Sequence, residues 1–270
     1  MTRDFVAHDA VLLAIQAALV GLTGAGIPAW LARYATARWA LILPLSIGVV
    51  VGAIALLPDV ADVLTWVALI LVPPGAALAL GWAMRGARPP LALLAAPLFA
   101  LAWASQTSGA GQLAGAAITA LSCVTLGRLL AGAAPGPWLK AGIVAMAIID
   151  AILVFSQNLQ QPNAVLNAAV PAPGLPQLQY LSFGPANLGY GDVFVAGAFG
   201  GVLAAEGARA WRWAFVTWVL AEAWTLLFYV TDTIPATVPV AVALIVRELL
   251  RARRPQPDAV GGEVAHGAHP

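Results

Sequence analysis

The chain has 270 residues, 61% hydrophobic and 9% charged, with a mean hydropathy of +0.87. Soluble domains carry roughly 45–50% apolar and about 25% charged residues, so a water-soluble globule is excluded and a polytopic membrane protein is expected. Thirteen Lys and Arg against 12 Asp and Glu leave a net charge of +1, which supplies no basic field for nucleic acid.

Apolar runs between polar or Pro/Gly breaks predict helices near 10–31, 39–57, 63–84, 90–104, 112–132, 138–157, 191–206, 210–230 and 234–250. The expected fold is all-α, with about nine transmembrane helices. Asp4, His8, Asp9 and Gln16 interrupt the first run, which argues against a cleaved signal peptide. The fourth and seventh runs are short for a span and call for tilt or a break. Pro28, Pro44 and Pro73-Pro74 fall inside runs, where neighbouring helices must satisfy the freed carbonyls. The single cysteine, Cys123, allows neither an intramolecular disulfide nor a cysteine-based metal site, and neither cofactor nor metal is expected.

The chain divides into a five-helix region over 1–137, a four-helix region over 138–250 and a polar tail over 251–270. The tail is expected to be disordered and cytoplasmic, with His266 and His269 solvated. The one long break, 158–190, contains no charge and five prolines, at 162, 171, 173, 176 and 185. These forbid a continuous helix, and leave either a partly embedded loop with a short strand or a plain linker. On a nine-span count, twelve of the thirteen basic residues, all but Arg3, fall on one side. Basic residues are retained in the cytoplasm, so the N-terminus is expected outside, the C-terminus in the cytoplasm, and 158–190 on the outer side. Trp30, Trp39, Trp138, Trp211 and Trp213 cluster at the predicted cytoplasmic ends, as an interfacial belt does. Gly197 and Gly201, and Gly48 and Gly52, form small-residue faces for helix packing, the former expected to bring the sixth and seventh helices together.

Ionisable residues inside spans are functional candidates because each costs about 2.5–3.5 kcal/mol on insertion scales. Asp150 lies about 18 Å and Asp192 about 21 Å from the cytoplasmic ends of their predicted helices, at a helical rise of about 1.5 Å per residue. Two carboxyls at one height can share a proton, which is the chemistry of an aspartic protease: the ionised member takes a proton from the attacking water and the protonated member polarises the peptide carbonyl. By position alone the pair also fits a proton carrier in a transporter, or two structurally hydrogen-bonded acids. Glu222, about 18 Å deep by the same rise, fits a proton relay or a protonated carboxyl bonded to a neighbouring helix.

Asp192 stands in Gly189-Tyr190-Gly191-Asp192, directly after the Pro-rich break, and Pro235-Ala236-Thr237 opens the last predicted helix. Glycine there permits non-helical backbone and close approach of a substrate chain. Ile149-Asp150, the Gly189–Asp192 motif and Pro235-Ala236-Thr237, in this order, resemble the presenilin and signal peptide peptidase family of nine-span intramembrane aspartyl proteases. That family has Tyr where Ile149 stands and Leu where Thr237 stands. The resemblance covers about 138–250 by motif and 1–137 by helix count. It implies that Asp150 and Asp192 are catalytic and that Gly189, Tyr190, Gly191, Pro235, Ala236 and Thr237 position substrate. It further implies that the substrates are transmembrane segments or signal-peptide remnants with cytoplasmic N-termini, held in the lipid bilayer.

Type IV prepilin peptidases use the same motif, usually followed by Val-Lys; here Val193 is followed by Phe194. Serine-type chemistry lacks a Gly-x-Ser-x-Gly context with a His inside a span, and zinc chemistry lacks His-Glu-x-x-His. A proton-coupled secondary transporter with midplane carboxylates and a non-catalytic scaffold remain alternatives.

Overall fold

The structure is a computed structural model that describes residues 3–231 and 233–253. Most of the tail expected to be disordered, 254–270 with His266 and His269, lies outside the described residues. In chain order the elements are α1 (Arg3–Leu22), α2 (Ala29–Ala32), a 3-10 turn (Ala37–Leu41) leading into α3 (Ile42–Leu56), and α4 (Val60–Leu78), which widens to a π turn at Ala79–Ala83. A 3-10 turn (Pro89–Leu94) then leads into α5 (Ala95–Ala104), followed by α6 (Gly109–Ala133), α7 (Gly136–Phe155), α8 (Gln160–Ala168), β1 (Tyr180–Phe183) and β2 (Ala186–Gly189). The last elements are α9 (Tyr190–Ala205), α10 (Ala210–Trp224) with a 3-10 extension (Thr225–Tyr229), and α11 (Val238–Ala252). Among the described residues, five stretches are long and apolar enough to cross a membrane: Phe5–Leu22, Ala37–Leu56, Val60–Ala83, Gly109–Ala133 and Gly136–Phe155. Pro89–Ala104 and Tyr190–Ala205 are apolar but shorter.

Several expectations need correction. The first helix is Arg3–Leu22, not 10–31, because Asp9 is accommodated inside the protein rather than marking a water boundary, and is buried. After it the chain turns through Gly26 at φ +82°, a left-handed conformation open to glycine. The last helix begins at Val238, so Pro235-Ala236-Thr237 precedes it instead of opening it. The fold is mostly helical, with two short strands. The break at 158–190 holds α8 and an antiparallel hairpin in which Tyr180 pairs with Gly189 and Phe183 with Ala186. Pro162 sits in the first turn of α8, where a missing N–H breaks no helical bond.

The rods run alternately. At one end Thr23 bridges to Met84, the Arg85 N–H donates to the Leu22 carbonyl and the Thr36 N–H to the Ala133 carbonyl. At the other end Phe5 stacks edge-on against Phe228 and His8 against Phe183. The described Lys and Arg side chains gather at the first end, and Trp30, Trp39, Trp138 and Trp211 stand exposed there. A charge cluster closes this end. Lys140 Nζ lies 2.7 Å from Glu206 and 2.8 Å from Glu248, Arg251 lies 3.0 Å from Glu206, and Arg247 pairs with both acids. It ties the start of α7, the end of α9 and α11 together.

α9 is the central rod. Its residues from Val193 to Leu203 are all buried, and one hydrophobic core runs from Leu12 to Leu244, so the two regions of the chain share it. The small-residue face of Gly197 and Gly201 meets α6, not α7. A Cβ on Gly197 would stand 2.5 Å from the Cys123 carbonyl oxygen, one on Gly201 2.5 Å from Ala131 Cβ, and one on Gly127 2.2 Å from the Gly197 carbonyl carbon. Gly48 and Gly52 face open space and make no such contact.

Two outcomes are expected. Gly127→Ala lowers unfolding stability in detergent by about 1–3 kcal/mol through overpacking, whereas Gly48→Ala does not lower it, because nothing meets the added methyl and alanine favours a helix interior by up to about 1 kcal/mol. Burial alone would raise the Glu206 carboxyl, but the Lys140 and Arg247 bonds hold it below the ordinary Glu range. A carboxyl lowered in the folded state stabilises fully above its unfolded pKa, and that contribution disappears as pH falls through the folded value. The melting temperature of the unmodified protein is therefore expected to drop on acidification below about pH 4.3, and Glu206→Gln to lessen that drop.

Candidate active site

Asp150 lies near the far end of α7 and Asp192 in the first turn of α9. α9 starts inside the protein because the hairpin delivers the chain to it. β2 ends at Gly189 and the helix begins at Tyr190. The Gly189 N–H donates to Asp192 Oδ2 at 3.2 Å, the acidic half of a capping box. A Cβ on Gly189 would stand 2.9 Å from that oxygen, so the glycine is what lets the carboxyl fold back. A Cβ on Gly191 would stand 3.2 Å from Met146 Cε, one turn before Asp150, which sets the approach of α9 to α7.

The two aspartates line one cavity of about 600 Å³ and lie within electrostatic range of each other. Asp150 is buried, and its Oδ2 accepts the Thr237 hydroxyl at 2.6 Å. Thus the segment before α11 reaches the first acid through Thr237, while Ala236 lines the cavity and Pro235 is buried behind it. The Tyr190 hydroxyl and Ser122 Oγ share a hydrogen bond at 2.9 Å, which joins the motif to α6. The walls come from α3 (Ser46, Val50), α4 (Val67, Leu71), α6, α7 and the hairpin, with Asn187, Leu188 and Gly189 of β2 exposed to the space.

All eight residues singled out in the sequence thus fall in or against one site. Three others belong to it without having been recognised. Gln16 of α1 is fully buried, and its Nε2 donates at 3.0 Å both to the Asp192 carbonyl and to the Ala236 carbonyl, so one side chain clamps the start of α9 to the segment before α11. Ser122 anchors Tyr190. Asp9 lines the same cavity from α1. A spacing of seven puts Asp9 and Gln16 on one helical face, which was legible; that this face turns toward the aspartates was not. Glu222 does not line the cavity but lies within electrostatic range of Asp9. No group of three or more His, Cys, Asp or Glu among the described residues is placed to hold a metal ion. Compared with protein-family models, curated proteins and solved structures, the chain matches none.

Gln16→Leu removes the donor shared by two carbonyls. It is expected to lower unfolding stability by about 1–3 kcal/mol, read as a shift of the thermal midpoint in detergent micelles. A shift no larger than that of Gly48→Ala would show the clamp to be unimportant.

Proposed function

We propose that this chain is an intramembrane aspartyl protease of the presenilin and signal peptide peptidase type, which hydrolyses peptide bonds within transmembrane segments. The observation that carries the reading is the meeting of Asp150 and Asp192 on one cavity within electrostatic range. One carboxylate takes a proton from water as the water oxygen bonds to the peptide carbonyl carbon, and the other, protonated, gives its proton to the carbonyl oxygen. Collapse of the resulting diol breaks the C–N bond as a proton passes to the departing nitrogen. Thr237 holds Asp150 in place, and the Gly189 N–H holds Asp192.

A helical substrate hides its carbonyls from water, so the cut segment must be extended. β2 supplies the means: Asn187, Leu188 and Gly189 line the cavity, and an extended segment can add to the edge of the two-stranded sheet beside them. The proposal includes nine spans, the short α5, α9, α10 and α11 crossing with the five longer ones. The basic end is then cytoplasmic, with the N-terminus outside and the C-terminus inside. Substrates have cytoplasmic N-termini.

The test is incubation of purified protein in lipid nanodiscs with a membrane-span peptide of that orientation, and mass spectrometry of the products. Cleavage within the span is expected. Asp150→Asn and Asp192→Asn are each expected to reduce it by about 10²–10⁴-fold, with the double variant little worse than either single one. Thr237→Val leaves Asp150 without its hydroxyl donor and should lower turnover more than it lowers stability. Robust cleavage by Asp192→Asn would overturn the mechanism, and a peptide that crosses intact would point to transport. Reporter fusions at the two ends check the orientation; an outer C-terminus would overturn it.

A further inference from the structure

Among the described residues the cavity is lined by three carboxyl groups, Asp9, Asp150 and Asp192, and by no Lys, Arg or His. Asp150 and Asp192 have hydrogen-bond donors within the protein. Asp9 is different: it is 9% exposed and lines the cavity, and no described side chain or backbone group donates to its carboxyl. It lies within electrostatic range of another acid, Glu222, whose Oε1 is buried without a partner. A second, separate group tells the same way. Gln179 is 6% exposed and lines the cavity, and its Oε1 is buried with no donor while its Nε2 is spent on the Leu166 and Ala169 carbonyls. Buried acceptors are normally paired, and an acid that faces an apolar cavity with a second acid behind it is well placed to receive a cation. A donor carried by the occupant of this cavity would meet the Asp9 carboxyl.

The position of Asp9 fixes where. It lies seven residues before Gln16 on α1, about 10 Å along the helix, and Gln16 is bonded to the backbone of Asp192. The displacement is toward the hairpin turn, where His8 stacks on Phe183. An extended chain rises about 3.4 Å per residue, so 10 Å corresponds to about three residues.

We propose that Asp9, backed by Glu222, forms a subsite for a basic side chain, a lysine ammonium or arginine guanidinium, carried by the substrate about three residues from the cut bond on the hairpin-turn side. For a substrate with a cytoplasmic N-terminus this is the C-terminal side of the cut. The inference rests on the protease reading and adds a selection rule to it: among spans of equal hydrophobicity, those with a basic residue at this distance are preferred.

The test uses full-length protein in nanodiscs and a Leu/Ala-rich span peptide in which one lysine is moved a residue at a time, with norleucine or glutamate at the same position for comparison. Binding of the fluorescent peptide is measured with Asp192→Asn protein, and cleavage with the unmodified protein. Lysine at the favoured position is expected to bind about ten- to a hundredfold tighter than norleucine, and glutamate more weakly than either. Asp9→Asn should bring the lysine-to-norleucine ratio near one, and Asp9→Glu should keep most of it. Equal binding of the lysine and norleucine peptides at every position overturns the subsite, as does a preference that survives Asp9→Asn. If Asp9→Asn fails to fold, the lysine, norleucine and glutamate comparison on protein with Asp9 intact still decides. Cleavage without a lysine preference removes the subsite and leaves the protease. Asp9-dependent binding of lysine without cleavage by unmodified protein does the reverse.

Discussion

Two carboxyl groups brought together in an apolar interior are the constraint on which the rest of this structure depends. Asp150 and Asp192 repel each other when both are ionised and are costly to desolvate, so each needs donors and both need a rigid frame. The donors come from backbone and side chain at short range: the Thr237 hydroxyl for Asp150 and the Gly189 N–H for Asp192. The frame comes from close helix packing. α9 can lie against α6 because Gly127, Gly197 and Gly201 leave no side chains between the backbones, and Gln16 fixes its first turn to the segment before α11.

The hairpin solves a second difficulty. A helix that crossed from end to end would bury Asp192 mid-helix, with the backbone around it fully bonded. By entering as a strand and turning into a helix at Tyr190, the chain places the acid in a first turn, where N–H groups have no helical partner and β2 backbone faces the cavity. The same device that steadies the carboxyl therefore places strand residues Asn187, Leu188 and Gly189 along the cavity.

The opposite end of α9 has another physical character. There Lys140, Glu206, Arg247, Glu248 and Arg251 form a closed set of ion pairs, and acid and base are balanced closely. In the cavity, carboxyls stand without cations. Counter-charges at one end hold the helices, whereas the described residues around the cavity supply none.

Composition and apolar period determined the membrane class and, within a few residues, most helices, because exclusion of charge from lipid is a property of each segment alone. Asp150, the Gly189–Asp192 motif and Pro235-Ala236-Thr237 were likewise legible, since an acid or a Gly/Pro motif in an apolar run stands out without knowledge of its neighbours. The start of α1 was misplaced because Asp9 looks like a water boundary until the helices that bury it are known. The hairpin at 180–189 left only a weak signal: four-residue strands are too short for an alternating pattern to rise above a Pro-rich background. Which faces meet was decided by tertiary structure alone. Gly197 and Gly201 could serve α6 or α7 equally well by spacing, and only the three-dimensional arrangement turns them to Gly127. It also turns the Asp9 and Gln16 face of α1 to the aspartates, because a helical period fixes which residues share a face but not which neighbour that face meets.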